Sequence, residues 1–323
     1  MESLKELYKT GNGPSSSHTM GPKKAAESFL SRGNRVDSFR VTLYGSLAAT
    51  GRGHLTDVAI TDVLEKVAPT EIVWKPDVVL DFHTNGMLFE ALRDGATIDS
   101  WTIFSVGGGT IANPETPYVS DNTVYPLGTI AEILDWCERE GKSFWEYVQD
   151  YDKSDIWEYL ENIWTAMCDT IDNGLNNDGV LPGGLKVARK ACTYWVKSKE
   201  YAPSVSNRSR LYAYALATAE ENASGGPVVT APTCGSCGVL PAVLYHLADV
   251  NSYRPIRILR ALATAGVFGN VVKTNASISG AEVGCQGEIG VACAMAAAAA
   301  CQLMGGTPAQ IEYAAEMALE HHL

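Results

Sequence analysis

Cys285 stands inside the run Ser277–Cys293, among glycines and carboxylates and immediately before an alanine-rich, helix-like segment. A thiolate is both a nucleophile and a soft metal ligand, so a thiol in this setting is a candidate for either role. Just upstream lie Lys273, Asn275, Ser277 and Ser279, and Glu282 and Glu288 flank the cysteine. Burying so many polar groups between apolar helices is costly unless they have partners, and a site accounts for them. Lys273 raises the question of a pyridoxal phosphate Schiff base. No glycine-rich phosphate cradle adjoins it, so the expectation is a site without that cofactor.

A second group is Gly13–Pro22, where Ser15, Ser16, Ser17, His18 and Thr19 enter a helix. Hydroxyls, an imidazole and the first backbone N–H groups of a helix converge on a small volume that suits an anion. An N-terminal cap in a polar loop is the alternative. His54, in the glycine-rich turn Gly51–Asp57, is a candidate acid or base because an imidazole titrates near neutrality; a surface histidine is the bland reading. His83 and Asn85, within Asp81–Gly86, could equally be turn chemistry. Gly107–Gly109 lacks the spacing and the trailing lysine of a phosphate loop. Cys234 and Cys237 have the two-residue spacing of a redox pair or half a zinc site. A zinc site would need a second, matching pair, and a redox pair would sit in a βαβ unit, which leaves small buried thiols as the default.

These residues must be positioned by two kinds of architecture. Pro22–Ser31 carries apolar residues at helical spacing, and Phe39–Tyr44, Thr70–Trp74, Val78–Phe82 and Ser100–Val106 are rich in β-branched and aromatic residues. With helices over Asp57–Val67 and Leu127–Arg139, this predicts an α/β N-terminal domain with a mixed sheet over residues 1–152. Beyond it, Ile156–Ile171, Arg208–Glu221, Val239–Val250, Pro255–Val272, Ile289–Leu303 and Pro308–Leu323 repeat apolar residues at three and four positions. Residues 153–323 are therefore expected to form a mostly α-helical C-terminal domain, with a functional connecting loop at the glycine-bearing Asn173–Leu185.

Composition narrows the function classes. The 323-residue chain is 46% hydrophobic and 19% charged, with a net charge of −12. That excludes disorder and argues against nucleic acid, which needs clustered Lys and Arg. The N-terminus lacks a positive segment followed by an apolar core, and Val291–Met304 is too short to span a bilayer. A cytoplasmic protein with no membrane partner and eight reduced cysteines is the expectation.

The strings Gly13–Pro22, Tyr44–Leu47, Gly51–Asp57, Glu220–Gly226, Val229–Gly238, Asn275–Cys293 and Glu320–Leu323 follow one another over nearly the whole chain. Together they resemble the bacterial iron–sulfur L-serine dehydratases, in the form that fuses a β domain to an α domain. The resemblance implies conversion of L-serine to pyruvate and ammonia. It also implies a [4Fe–4S] cluster held by three cysteines, its open iron acting as Lewis acid on the leaving hydroxyl. Carried onto this chain, it makes Cys285 the first cluster ligand. Ser15, Ser16, Ser17, His18 and Thr19 would hold the substrate carboxylate, His54 would take the α-proton, and Lys273 and Asn275 would complete the polar wall. In the family the string at Glu320–Leu323 runs on into Gly-Leu-Thr-Cys-Asp-Pro and then a Pro-Cys, which supply the other two ligands. The expectation is thus a chain that stops short of them, and a homodimer when complete. The alternatives are a cluster-free chain that at most binds a small amino or hydroxy acid, and a zinc- or pyridoxal-dependent lyase.

Overall fold

The computed structural model describes residues 1–33, 35–115 and 122–321, with the side chains of Ala281, Glu282 and Cys285 also outside the description. The chain divides into two compact units, one formed by Asn12–Val119 and the other by Met1–Gly11 together with Ser120–Leu323. A 3-10 turn at Leu4–Glu6 and a short strand β1 (Thr10–Asn12) open the chain.

The first unit is the expected α/β structure. It runs α1 (Gly21–Leu30), β2 (Ser38–Tyr44), α2 (Gly45–Thr50), α3 (Thr56–Leu64), β3 (Thr70–Lys75), β4 (Gly86–Arg93), β5 (Ala96–Gly107) and β6 (Thr110–Ala112). The strands form one mixed sheet in the order β3-β2-β4-β5-β6. β2 pairs parallel with β3, Phe39 opposite Thr70, and antiparallel with β4, Val41 opposite Phe89. Phe39, Val41 and Leu43 alternate along β2 and, with Met87, Phe89 and Ala91 of β4, build one buried face. Ala25, Ala26 and Phe29 of α1 and Ile60, Val63 and Leu64 of α3 close that core.

One strand reading needs correction, and one strand was not foreseen. Val78–Phe82 is not a strand: Val78, Val79 and Phe82 are exposed, and the segment contributes only an isolated bridge from Leu80 to His83. The ladder is instead made by Gly86–Arg93, whose Met, Leu, Glu and Ala favour helix by propensity but whose burial against β2 and β5 decides the outcome.

The second unit is helical: α4 (Ile130–Glu140), α5 (Phe144–Tyr151), α6 (Ile156–Asn176), α7 (Ala191–Ser198), α8 (Pro203–Ala223), a short β7 (Pro227–Val229), α9 (Val239–Asn251), α10 (Pro255–Asn275), α11 (Gly280–Cys285), α12 (Val291–Leu303) and α13 (Pro308–Glu320). Local signals set several ends. Thr129 and Glu132 form a reciprocal capping box at the start of α4, and Gly141 ends it at φ 64°. Ile156, Leu160, Ile163, Met167 and Ile171 make the buried stripe of α6. That helix continues through Gly174 to Asn176, so the connecting loop begins at residue 177 rather than at Asn173. The reading of α13 as helical to Leu323 reaches past the described residues; the helix ends at Glu320, with His321 as its cap.

Helix α10 is the unit's axis, buried almost continuously from Ile258 to Asn270. By length and composition it could cross a membrane, with a mean hydropathy of 1.2, yet 67% of that window is buried against neighbouring protein, as in a core helix. The alanine-rich α12, shorter than α10 and too short to span a bilayer, packs beside it. The first residues of the chain belong to this core. Leu4 and Tyr8 are fully buried, Tyr8 Oη donates to Leu262 O at 3.0 Å, and a Cβ on Gly266 would lie 2.7 Å from Leu4.

Candidate functional site

In the α/β unit, Ser16–Met20 winds as a π-type turn that leads directly into α1. Ser15 caps it, its Oγ accepting from His18 N at 3.1 Å. Ser16, His18 and Thr19 are buried, while Ser15 and Ser17 are half-buried. The imidazole of His18 is bracketed by two hydroxyls, Ser17 Oγ at 3.1 Å from Nδ1 and Ser46 Oγ at 3.2 Å from Nε2. Burial first, and then the neighbouring imidazoles of His54 and His83, push it down to about 4. His18 is therefore a neutral, hydrogen-bonding group at neutral pH.

The turn at the end of β2 is what brings Ser46 there. Gly45 adopts φ 48°, and a Cβ on it would come within 2.5 Å of Thr84 O. Only glycine makes so sharp an exit from the strand at this approach. After α2, His54 folds back so that its ring lies 4.7 Å, centroid to centroid, from that of His18. Thr19 Oγ1 donates to His54 O at 2.7 Å, and Thr56 Oγ1 donates to His18 O at 2.5 Å, so the two segments are stitched together in both directions. Leu55, between them, holds φ 56°, a left-handed conformation that a branched side chain rarely adopts outside an over-determined site. His54 Nδ1 lies 3.0 Å from Thr50 O, which can only accept. Nδ1 thus carries the proton in the neutral ring, and Nε2 keeps the basic lone pair.

His83 and Asn85 join the same neighbourhood. Asn85 N donates to His83 Nδ1 at 3.0 Å, and Asn85 Nδ2 donates to Ser105 O at 3.2 Å. Asn85 and Ser105 are fully buried, and among the described residues Asn85 Oδ1 and Ser105 Oγ have no hydrogen-bond partner. Three histidines, five serines and Thr19 are thereby gathered from five separate segments. Ser46 lies in the string Tyr44–Leu47 noted in the sequence, whereas nothing in the sequence marks Ser105.

The helical unit holds the other expected residues. Lys273 donates to Glu2 Oε2 at 2.6 Å and to Glu6 O at 2.9 Å, and burial pulls its ammonium below the usual range against the pull of Glu2. Asn275, exposed, donates to Gly128 O at 2.7 Å. Both therefore tie the end of α10 to other backbone segments. Cys285 ends α11, one residue after Gly284, which leaves helical geometry at φ 64° and ψ −157°. Its side chain lies outside the description.

Glu288 is built into place nearby. It accepts from Thr233 Oγ1 at 3.0 Å, and a Cβ on Gly235 or on Gly280 would fall 2.7 or 2.8 Å from its carboxyl group. Cys234 and Cys237 lie beside it, fully buried. Burial, reinforced by the Glu288 charge, pushes the Cys234 thiol up to about 12, and burial lifts Cys237 further. These are inert thiols, not a reactive pair. The polar string Glu220–Ser224 is structural as well. Glu221 pairs with Arg189 at 2.6 Å and accepts from Asn177 at 2.7 Å, while Glu220 accepts from Lys190 N at 2.6 Å at the start of α7.

Comparison with known proteins matches the serine dehydratase alpha chain family over residues 56–323 and the serine dehydratase beta chain family over residues 3–73. The L-serine dehydratase of Haemophilus influenzae is 38% identical over 380 residues, covering 100% of this chain and 83% of that protein. L-serine dehydratase 1 of Escherichia coli is 38% identical over 377 residues, with the same coverage. The L-serine dehydratase of Streptomyces coelicolor is 39% identical over 375 residues, covering 99% of this chain and 82% of the relative.

Proposed function

The chain belongs to the serine dehydratase family, and from that premise we propose that it removes water from L-serine to give pyruvate and ammonia. The observation that carries this reading is the paired histidines. His54 offers a lone pair at Nε2 because Thr50 O holds the proton on Nδ1, and His18, kept neutral by burial, sits 4.7 Å away between two serine hydroxyls. In this reading Ser15, Ser16, Ser17 and Thr19, with the N–H groups of the turn, hold the substrate carboxylate. His18 orients it without adding charge. His54 takes the α-proton while the C–O bond to the β-carbon breaks, and the departing hydroxide takes a proton from solvent and leaves as water. The aminoacrylate so formed tautomerises to an imine, which water hydrolyses to pyruvate and ammonia.

The family resemblance also implies a [4Fe–4S] cluster, with Cys285 as one of its ligands. Such a cluster needs three thiolates. Among the described residues no group of three or more His, Cys, Asp or Glu side chains is arranged to hold a metal ion. The described residues do not by themselves fit the cluster, and no step is drawn through it. Lys273 and Asn275, given their bonds to Glu2, Glu6 and Gly128, act as scaffold in this reading rather than as substrate contacts. The seven described cysteines are all free, which suits a reducing cytoplasm; assembly as a homodimer is part of the same proposal.

The test is pyruvate formation from L-serine, alongside exchange of the serine α-proton with deuterated solvent. His54→Gln should lower both by about 10²–10⁴-fold, with L-serine binding changed only a few-fold. Exchange that persists in His54→Gln removes His54 as the base. Binding of L-serine by the unmutated chain, with neither exchange nor pyruvate, supports instead the reading of a cluster-free binder of small amino or hydroxy acids.

A further inference from the structure

On the helical unit, Trp145, Arg257, Arg260, Gln302 and Leu303 line a pocket of about 140 Å³. Its polar walls are donors. Among the described residues neither Arg257 nor Arg260 forms an ion pair with a carboxylate, and Arg260 Nε is buried with no hydrogen-bond partner. The Arg260 guanidinium lies over the Trp145 ring, 3.9 Å from its centroid, so its face is spoken for and only its edge can bind. Gln302 accepts from Thr264 Oγ1 through Oε1, which leaves its Nε2 as a third donor at the pocket.

We propose that this pocket is a binding site for a small oxyanion, of the size of inorganic phosphate or a three-carbon carboxylate. Arginine edges recognise carboxylate and phosphate oxygens through paired N–H bonds, and a buried guanidinium nitrogen without an acceptor is a cost that such an oxygen removes. A volume of about 140 Å³ suits a small oxyanion better than a nucleotide. The chain carries a net charge of −12, so anions are repelled in general and a cationic pocket without carboxylates is not a by-product of composition. The site shares no residue with the histidine cluster of the α/β unit, and its occupancy is independent of the reading given to that cluster.

The experiment is calorimetric titration of the full chain at constant ionic strength with inorganic phosphate, with pyruvate and with chloride. Saturable binding of phosphate or pyruvate, but not of chloride, is expected. Phosphate alone assigns a tetrahedral oxyanion, pyruvate alone a carboxylate, and both together an unselective oxyanion site. Gln302→Glu, which places a carboxylate among the arginines and keeps the acceptor for Thr264, should weaken binding at least tenfold. Arg260→Lys should do the same by removing the planar edge while keeping the charge. Arg257→Ala, at an exposed position, serves if Arg260→Lys does not fold. Equal responses to all three anions, no binding at all, or unweakened binding in Gln302→Glu and Arg257→Ala would overturn the proposal.

Discussion

Gly21→Ala tests how the serine-rich turn is seated on the sheet. Gly21 follows the turn at φ −60°, ordinary helical geometry, in which alanine is intrinsically favoured by about 0.5–1 kcal/mol. Against that, its Cβ would lie 2.2 Å from Ser105 Oγ and 2.9 Å from Ser105 Cβ. Ser105 is on β5 with no exposed surface, so neither partner can move without shifting the sheet or the helix. Overpacking of this kind costs about 1–3 kcal/mol, and two contacts on fixed backbones place it toward the upper end. The net expectation is a loss of about 1–2 kcal/mol. The companion substitution has the opposite sign. Ser105 Oγ is buried without a hydrogen-bond partner among the described residues, so Ser105→Ala should be neutral or stabilising by up to about 1 kcal/mol. In the double variant the 2.2 Å overlap is gone and only the 2.9 Å contact remains, so most of the loss should return, with a coupling of about 1 kcal/mol or more. Urea unfolding of the four proteins followed at the α/β unit reads this directly. Strictly additive effects, or a Gly21→Ala protein as stable as the parent, would refute the claim that Ser105 and Gly21 fix the turn's seat.

Two more outcomes follow from groups in the same structure. His18 titrates at about 4 when folded and near 6.5 when unfolded, so the native state binds fewer protons across that interval. Its contribution is fully present above about pH 6.5 and is lost as pH falls toward 4, by about 3 kcal/mol at about 1.4 kcal/mol per unit. His18→Gln should flatten that part of the curve, and equal slopes for both proteins between pH 4 and 6.5 would contradict it. Glu2→Gln removes the charged partner of the largely buried Lys273 ammonium, leaving Glu6 O as its acceptor, and should destabilise the helical unit by about 1–3 kcal/mol. Adding Lys273→Met should recover part of the loss, as measured by denaturant midpoints; a double variant less stable than Glu2→Gln would rule out the pairing argument.

What could be read from the sequence was local. Phe39–Tyr44 announces its strand by period-two alternation, and the hydroxyls before Pro22 announce a helix start, because both signals are carried by neighbours in the chain. Lys273 shows the limit of such reading. A lysine, an asparagine and serines between apolar helices look like a site, yet the partner that explains Lys273 is Glu2, 271 residues away. Glu220 and Glu221 are similar, being satisfied by Lys190, Arg189 and Asn177 across a loop. For the histidines the residue types pointed to chemistry, but their grouping depends on tertiary approach. Ser46 reaches His18 only because Gly45 turns at positive φ, a backbone fact that a glycine hints at and no spacing encodes.

The placement of the first eleven residues imposes an order on synthesis. Leu4, Tyr8 and Glu2 are translated more than 250 residues before their partners Gly266, Leu262 and Lys273. The α/β unit is one contiguous stretch, Asn12–Val119, and its sheet can complete every strand pairing while the helical unit is still being made. Leu4, Leu7 and Tyr8 must then wait unburied until α10 is made, and docking them closes a loop of more than 250 residues.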